Sequence, residues 1–200
     1  LLGQNILTRR IGDETENIPI DVYCGVDPAS SLSSTADFFV ICTIGVDYDG
    51  NKYVLDIFRN RISPAEQPDV IIQTYKKFRP RRMKIETVGY QEALRTAVRE
   101  LMKKDSLYIP GLEKGVKPRN RKSERLLSLV PMFAKKQFYW RPEDLIGQQE
   151  FLSYPRGKHD DVMDAIWTAL DGHKPSRSKN YEKIDENHKK DKKVIDWMTL

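Results

Sequence analysis

Apolar runs separated by turn residues fill the first third of the chain and predict an antiparallel meander. Ile20–Val26 and Phe38–Val46 are rich in β-branched and aromatic residues, which favour buried strands. Lys52–Arg59 predicts a third strand, because Asp47–Asn51 before it contains an Asp-Gly pair that favours the left-handed dihedrals of a hairpin turn. We therefore expect three consecutive strands at the start of the fold.

Apolar residues at helical spacing follow this meander. Ser63, Pro64 and Glu66 form a capping-box pattern, which predicts a helix over Pro64–Phe78. Helices and strands that alternate after a meander predict the α/β class, with a mixed sheet of five or more strands flanked by helices. The remaining predicted helices are Gln91–Lys103, Ser123–Ala134, Glu143–Leu152 and Asp160–Leu170, and the remaining strands are Met83–Glu86, Leu107–Ile109 and Gln137–Trp140.

Polar segments at both ends of the chain predict a folded domain over residues 20–172. Residues 1–19 are mostly polar, and we interpret them as an N-terminal linker or arm. Residues 173–200 are charged and rich in lysine, which predicts a disordered tail. The apolar patch Val194–Met198 in that tail either docks on the domain or marks a surface where a partner binds.

Charge and composition narrow the classes of function. The 200 residues carry a formal net charge of +5, which is compatible with a polyanionic partner. No apolar stretch reaches the roughly 20 residues of a membrane span, and the N-terminus lacks a signal-peptide pattern, so we expect no membrane partner and no secretion. Cys24 and Cys42 lie in predicted neighbouring strands, and we expect both to be buried free thiols.

Four carboxylates occupy the ends of predicted elements. Asp27 ends the first strand, Glu86 ends the fourth, and Asp161 and Asp164 lie in the first turn of the last helix. Asp27 can simply cap a turn, Glu86 can pair with the basic residues before it, and Asp161 can favour a helix N-terminus. Asp164 shares a helix face with Asp161, and like charges so placed repel unless a cation lies between them. Hard oxygen ligands suit Mg²⁺ or Mn²⁺, so the set predicts a divalent-metal site.

His159 and Asp160 directly precede this helical turn. Asp160 and Asp161 project about 100° apart on a helix, so we expect only one of them to face the same metal as Asp164. His159 can orient a water or a phosphate, or it can be an ordinary polar residue before a helix.

Two basic segments are candidate nucleic-acid contacts. Side chains of this kind contact phosphates, and the chain has no base-reading motif, so we expect little sequence preference. The alternative for the first segment is a solvated loop. The first segment contributes Lys114, Lys117, Arg119, Arg121 and Lys122, and the second, which leads into Glu86, contributes Arg79, Arg81, Arg82 and Lys84.

Several short motifs occur in a specific order between residue 20 and about residue 170. They are Gly25–Ala29, Thr35–Phe38, Asp47–Gly50, Ile85–Thr87, Arg121–Leu126, and Tyr154-Pro155 followed by His159–Ala165. Together they resemble the C-terminal nuclease domain of the large terminase subunit of tailed bacteriophages. The resemblance implies a ribonuclease H-like fold, in which the first strand is central and its end meets the fourth strand and the last helix.

The resemblance implies a metal-dependent endonuclease that cuts concatemeric viral DNA during genome packaging, in the cytoplasm of the host cell. The acidic site of the family carries over to Asp27, Glu86 and Asp161, and Asp164 matches a position that is acidic in some members. We expect two-metal hydrolysis with Mg²⁺ or Mn²⁺, in which Asp27 bridges both ions. Glu86 would complete one coordination shell, and Asp161 with Asp164 the other.

The resemblance also implies partners: double-stranded DNA, an ATPase motor domain, the portal protein and the small terminase subunit. The sequence has no Walker loop pattern, so we expect no DNA translocation by this chain alone. Two alternatives remain open. A Holliday-junction resolvase or transposase shares the fold and the acidic site, whereas a non-catalytic module would dock on DNA or the portal with carboxylates that are only structural.

Overall fold

The strands form one mixed sheet with helices on both faces. The computed structural model describes residues 4–11, 14–30, 37–86, 91–112, 121–173 and 194–196. The strands are β1 (Gln4–Ile11), β2 (Glu14–Asp27), β3 (Phe39–Val46), β4 (Lys52–Asn60), β5 (Arg82–Ile85), β6 (Phe138–Tyr139) and β7 (Val194–Asp196). The helices are α1 (Gln67–Phe78), α2 (Gln91–Lys104), α3 (Lys122–Leu127), α4 (Val130–Ala134), α5 (Leu145–Ser153) and α6 (Asp161–Leu170). Within these ranges no helix is both long and apolar enough to cross a membrane.

The long strand β2 is the centre of the sheet. The strand order is β6-β4-β3-β2-β1-β7, and β5 also pairs with β2. Residues 14–21 of β2 pair antiparallel with β1, residues 21–27 pair antiparallel with β3, and residues 23–26 pair parallel with β5. The predicted α/β fold with a mixed sheet is therefore confirmed, and the predicted first strand lies at its centre.

Residues 4–11 and 14–19 are strands, so the interpretation of residues 1–19 as a linker or arm is wrong for these positions. Leu7 and Ile18 are buried with Phe78 in a small apolar cluster. Arg9 and Glu16, which face each other in this hairpin, form an ion pair at 2.8 Å. The apolar positions alternate with polar ones on a sheet margin, which makes the segment look hydrophilic as a whole.

The C-terminal patch forms a strand where the structure describes it. Val194–Asp196 pairs parallel with β1, in register with Ile6–Thr8. This agrees with the docking alternative for the patch. Most of the predicted tail, residues 174–193 and 197–200, lies outside the described residues.

Two other predicted elements differ from the structure. Leu107–Ile109 is not a strand, although Pro110 O beside it accepts a hydrogen bond from Met83 N of β5 at 2.8 Å. The predicted helix Ser123–Ala134 is divided into α3 and α4. Pro131 lies in the first turn of α4, because it has no N–H to continue the hydrogen bonding of the preceding helix.

Each face of the sheet has its own apolar core. Helix α6 packs on Tyr23 and Cys42, and α1 and α2 pack on the opposite face around Val26 and Ile41. Both cysteines are free and buried, as predicted. The Cys24 thiol lies 3.3 Å from the Thr43 hydroxyl, and burial raises its pKa to about 12.

Candidate active site

Gly25 allows α6 to pack directly on β2. A Cβ atom at Gly25 would lie 2.0 Å from Ala165 O and 2.3 Å from Ala169 N, closer than any real side chain approaches backbone. Asp27 is two residues further along β2, so it lies on the same face of the sheet. The close contact at Gly25 therefore brings the start of α6 up to the end of β2.

Asp27 and Glu86 lie at the same edge of the sheet. Val26 is in register with Ile85 in the parallel β2–β5 pair, and Glu86 N donates a hydrogen bond to Val26 O at 3.3 Å. The loop after Asp27 is fixed by the fully buried Gln67 of α1, whose Nε2 donates to Ala29 O at 2.7 Å. The ends of the two strands thus hold two carboxylates side by side.

The four carboxylates predicted from the sequence converge. Burial raises the pKa of Asp27 well above its ordinary value, and the negative charges of Asp164, Glu86 and Asp161 raise it further, in that order. Burial also raises the pKa of each of the other three. The site concentrates negative charge in a poorly hydrated place, which is costly unless cations compensate it.

Helix α3 supplies two such cations. Arg125 Nη1 lies 3.1 Å from Glu86 Oε1 and 3.8 Å from Asp164 Oδ1. Lys122 Nζ lies 2.6 Å from Asp164 Oδ2 and 2.8 Å from Asp160 Oδ1. Burial alone would lower the pKa of Lys122, but its bonds to the two aspartates outweigh this effect and raise it. Asp160 thus pairs with the cation that also contacts Asp164.

Asp161 has different neighbours from Asp164. Its Oδ2 accepts a hydrogen bond from Phe38 N at 3.4 Å and lies 3.5 Å from His159 Nδ1 and 4.0 Å from Arg59 Nη2. One potential ligand atom from each of Asp37, His159 and Asp161 lies within 4.8 Å of the others. The two α6 carboxylates therefore have separate sets of partners, and His159 places a ring nitrogen beside the oxygen ligands of Asp161.

Glu150 of α5 and Arg59 of β4 support the start of α6. Glu150 Oε2 accepts a hydrogen bond from Val162 N at 2.9 Å, and Glu150 Oε1 lies 3.3 Å from Arg59 Nε. Burial raises the pKa of Glu150 to about 7, against the opposing effects of these two partners. The Arg59 guanidinium also packs 3.5 Å from the centre of the Phe38 ring. These contacts fix the backbone that carries Asp161.

The predicted basic segments have different outcomes. Arg121 is exposed at the start of α3 and Lys122 reaches the carboxylates, whereas Lys114, Lys117 and Arg119 lie outside the described residues.

The segment before Glu86 is engaged in the fold. Arg81 pairs with Asp21 at 2.7 Å, and Lys84 pairs with Asp171 at 2.5 Å. Arg82 donates hydrogen bonds to Asp171 O and Gly172 O at the end of α6. Three of the four basic residues in this second candidate patch therefore stabilise the scaffold. Glu86 pairs with Arg125 of α3, and not with the basic residues that precede it in the sequence.

The sequence pattern predicts no role for Arg125, Asp37, Arg59 or Glu150. Arg125 follows Lys122 by three residues, and this spacing places both on one helix face. That spacing was the available signal. Arg59 and Glu150 gave none, because a single charged residue in a strand or a short helix is ordinary.

The central strand, the parallel β5, the closing helix and the carboxylates between them define the class of ribonuclease H-like domains. A family model described as the terminase RNase H-like domain matches residues 24–171. The chain belongs to this family. The match includes all four predicted carboxylates.

Solved structures show the same fold. The large terminase nuclease from thermophilic phage G20c with bound zinc has a TM-score of 0.57 and 16% identity, with 85% of this chain and 94% of that chain covered. Its form with bound magnesium has a TM-score of 0.56 at the same identity, covering 85% and 93%. The P22 large terminase nuclease domain has a TM-score of 0.54 and 14% identity, covering 74% and 79%. No curated protein sequence matches the chain significantly.

Proposed function

We propose that this chain is a divalent-metal-dependent endodeoxyribonuclease that hydrolyses phosphodiester bonds of double-stranded DNA. The observation that carries the proposal is the convergence of four carboxylates with raised pKa values at the end of the central strand. Membership of the terminase RNase H-like family supports it. The large terminase nuclease from thermophilic phage G20c, which has the same fold, has been solved with magnesium, zinc and cobalt bound.

The residues present fit divalent cations. Asp164 Oδ1 is buried and accepts no hydrogen bond, and the acids exceed the two cations that α3 supplies. Carboxylate oxygens suit Mg²⁺ or Mn²⁺. Such ions would supply Lewis-acid activation of the attacking water and neutralise charge on the leaving 3′ oxygen.

Each side chain has a proposed part in holding the site. The charges of Asp164, Glu86 and Asp161 all act on Asp27, so Asp27 is proposed to be shared between two groups of ligands. Glu86 and Asp164, which contact α3, would form one group, and Asp161, which lies beside His159, the other. The β2–β5 pair and the Gly25 contact fix the carboxylates before substrate binds, so little reorganisation is needed during reaction. We assign no covalent nucleophile to the protein, because hydrolysis by an activated water does not require one.

Basic residues on α3 and the preceding loop are proposed to contact the DNA backbone. Arg121 is exposed one residue before α3, and Lys122 is partly exposed at the rim of the carboxylate site. Together with Lys114, Lys117 and Arg119 they would neutralise phosphates without reading bases. We expect weak sequence preference and binding that weakens steeply with salt.

The proposed biological role is the cutting of concatemeric viral DNA during genome packaging in the host cytoplasm. It rests on the terminase family alone. An ATPase motor, the portal protein and the small terminase subunit are the partners proposed on the same basis.

The test is cleavage of supercoiled plasmid by the purified chain with Mg²⁺, Mn²⁺ or EDTA. Nicking and linearisation that need the metal and disappear in Asp27→Asn and Glu86→Gln would support the proposal. Asp105→Asn is the matched control, because Asp105 pairs with Lys76 on the surface away from the site. Preference for four-way junctions over linear duplex would point to a resolvase. A folded protein that binds metal and DNA without cutting would point to a docking module.

A further inference from the structure

Helix α3 places two cations on the oxygens that a divalent metal would use. Arg125 is buried, and its guanidinium lies between Glu86 and Asp164. Lys122 lies at the rim of the site, and its ammonium contacts the other oxygen of Asp164. Both carboxylate oxygens of Asp164 therefore face a cation from α3.

Arg125 is hydrogen-bonded to Glu86 at 3.1 Å, but towards Asp164 it is only a nearby counter-charge. The Arg125–Asp164 separation of 3.8 Å is too long for a hydrogen bond. Arg125 Nε and Asp164 Oδ1 are both buried and have no hydrogen-bond partner. A bidentate arginine–carboxylate pair would satisfy both atoms, so this arrangement leaves Asp164 Oδ1 free to bind a cation.

The position of Arg125 is nevertheless held by packing. Its guanidinium lies 4.8 Å from the centre of the Trp167 ring of α6. Leu126, the next residue, is buried in the core below α6. The backbone of α3 is thus anchored while the two charged ends reach into the carboxylates.

We propose that Lys122 and Arg125 are positioning residues that act as displaceable counter-ions: they hold Glu86 and Asp164 in the metal-free protein and compete with divalent cations for the same oxygens. This inference rests on the proposed metal-dependent function. Competition follows because a carboxylate lone pair that accepts from an ammonium or guanidinium is not available to a metal. Metal binding then includes the cost of displacing these two groups.

The test is calorimetric titration of Mn²⁺ into the full chain and into Lys122→Met and Arg125→Met, without DNA. Each variant removes a positive charge a few ångströms from the ligands, so Mn²⁺ should bind about tenfold more tightly than to the wild type. Lys76→Met is the matched control, since Lys76 pairs with Asp105 at 2.7 Å on the surface. Its affinity for Mn²⁺ should equal that of the wild type.

Thermal unfolding is a second measurement, which tests the role of Arg125 even if the Arg125→Met variant is poorly folded. Without metal, Arg125→Met should lower the melting temperature, and adding Glu86→Gln should restore much of the loss, because the uncompensated charge is removed. If Arg125 only packed on Trp167, Glu86→Gln would not restore the melting temperature.

The outcomes separate the two proposals. Tight Mn²⁺ binding by the wild type with equal or weaker binding by both α3 variants would overturn the counter-ion role and leave the metal site intact. Failure of the wild type and both folded variants to bind Mn²⁺ would overturn the metal-dependent function itself, and the counter-ion role with it.

Discussion

Glu150 caps the helix that carries Asp161 and Asp164, although it belongs to a different helix. Its Oε2 accepts a hydrogen bond from Val162 N at 2.9 Å. The N-cap residue of α6, Asp160, makes no side-chain capping bond, and its carboxylate binds Lys122 instead. The usual local cap is thus replaced by one from α5, and Asp160 is left to pair with α3.

Removal of this cap should destabilise the protein. Glu150→Ala deletes the acceptor for Val162 N and leaves Arg59 without its 3.3 Å partner, so the free energy of unfolding should fall by about 2 kcal/mol. Glu150→Gln keeps an acceptor and should lose much less. Urea denaturation measures both, with Glu100→Ala as control, since Glu100 pairs with Lys103 on the surface. Equal stability of the alanine variant and the wild type would show that the bond contributes nothing.

The protein without metal should become less stable as pH rises through the weakly acidic range. Burial raises the pKa of Glu150 from 4.5 to about 7, and burial also raises that of Asp27. Between the unfolded-state pKa and the raised folded-state pKa of each group, the folded state binds more protons than the unfolded state. The free energy of unfolding therefore falls as pH rises. Glu150 contributes to this fall between about pH 4.5 and pH 7.

Urea denaturation in EDTA at pH 5, 6, 7 and 8 measures this dependence. Glu150→Gln cannot lose a proton and should give a flatter profile over this window. The raised pKa of Glu150 would be contradicted if the wild type gained stability from pH 5 to pH 7 and its slope equalled that of Glu150→Gln.

The four carboxylates could be predicted from the sequence because each occupies the end of an element with a strong pattern. Asp27 ends an apolar run, and Asp161 and Asp164 share the first turn of an amphipathic helix. The order of these elements is enough to bring strand ends and a closing helix together in an α/β fold. The ligands and the protonation state of the four carboxylates depend on distances between side chains, which a sequence pattern does not contain.

Features that depend on tertiary packing could not be predicted. Arg125 is a charged residue in a short helix, and its burial becomes visible only once Glu86 and Trp167 are placed around it. Apolar residues such as Leu7 and Ile18 are too few among the polar residues of this segment to predict the β1–β2 hairpin. Leu107–Ile109 has the composition of a strand, but its neighbouring backbone makes one hydrogen bond to β5 and no ladder.

Gly25 should tolerate no side chain. A Cβ there would lie 2.0 Å from a backbone oxygen of α6, so Gly25→Ala must push the helix away from β2. We expect a loss of about 3 kcal/mol in the free energy of unfolding and weaker metal binding, because Asp161 and Asp164 move with the helix. Gly45→Ala on β3 is the control, since its Cβ would meet side-chain ends and no backbone: Ile20 Cδ1 at 2.6 Å and Leu55 Cδ1 at 3.4 Å. Comparable losses for both variants would show that the α6 contact is not special.

Asp27→Asn should separate the stability of the site from its function. The wild-type carboxylate is half-buried and feels the charges of Asp164, Glu86 and Asp161, so the neutral amide relieves repulsion and should raise the free energy of unfolding without metal by about 1–2 kcal/mol. The same variant should lose plasmid cleavage and most of the stabilisation by Mn²⁺, because the central ligand is gone. Thermal unfolding with EDTA and with Mn²⁺, run beside Asp105→Asn, measures both effects. If Asp27→Asn were less stable than the wild type in EDTA, the prediction would be wrong. The carboxylate of Asp27 would then have contacts that compensate its charge and would stabilise the fold before any metal binds.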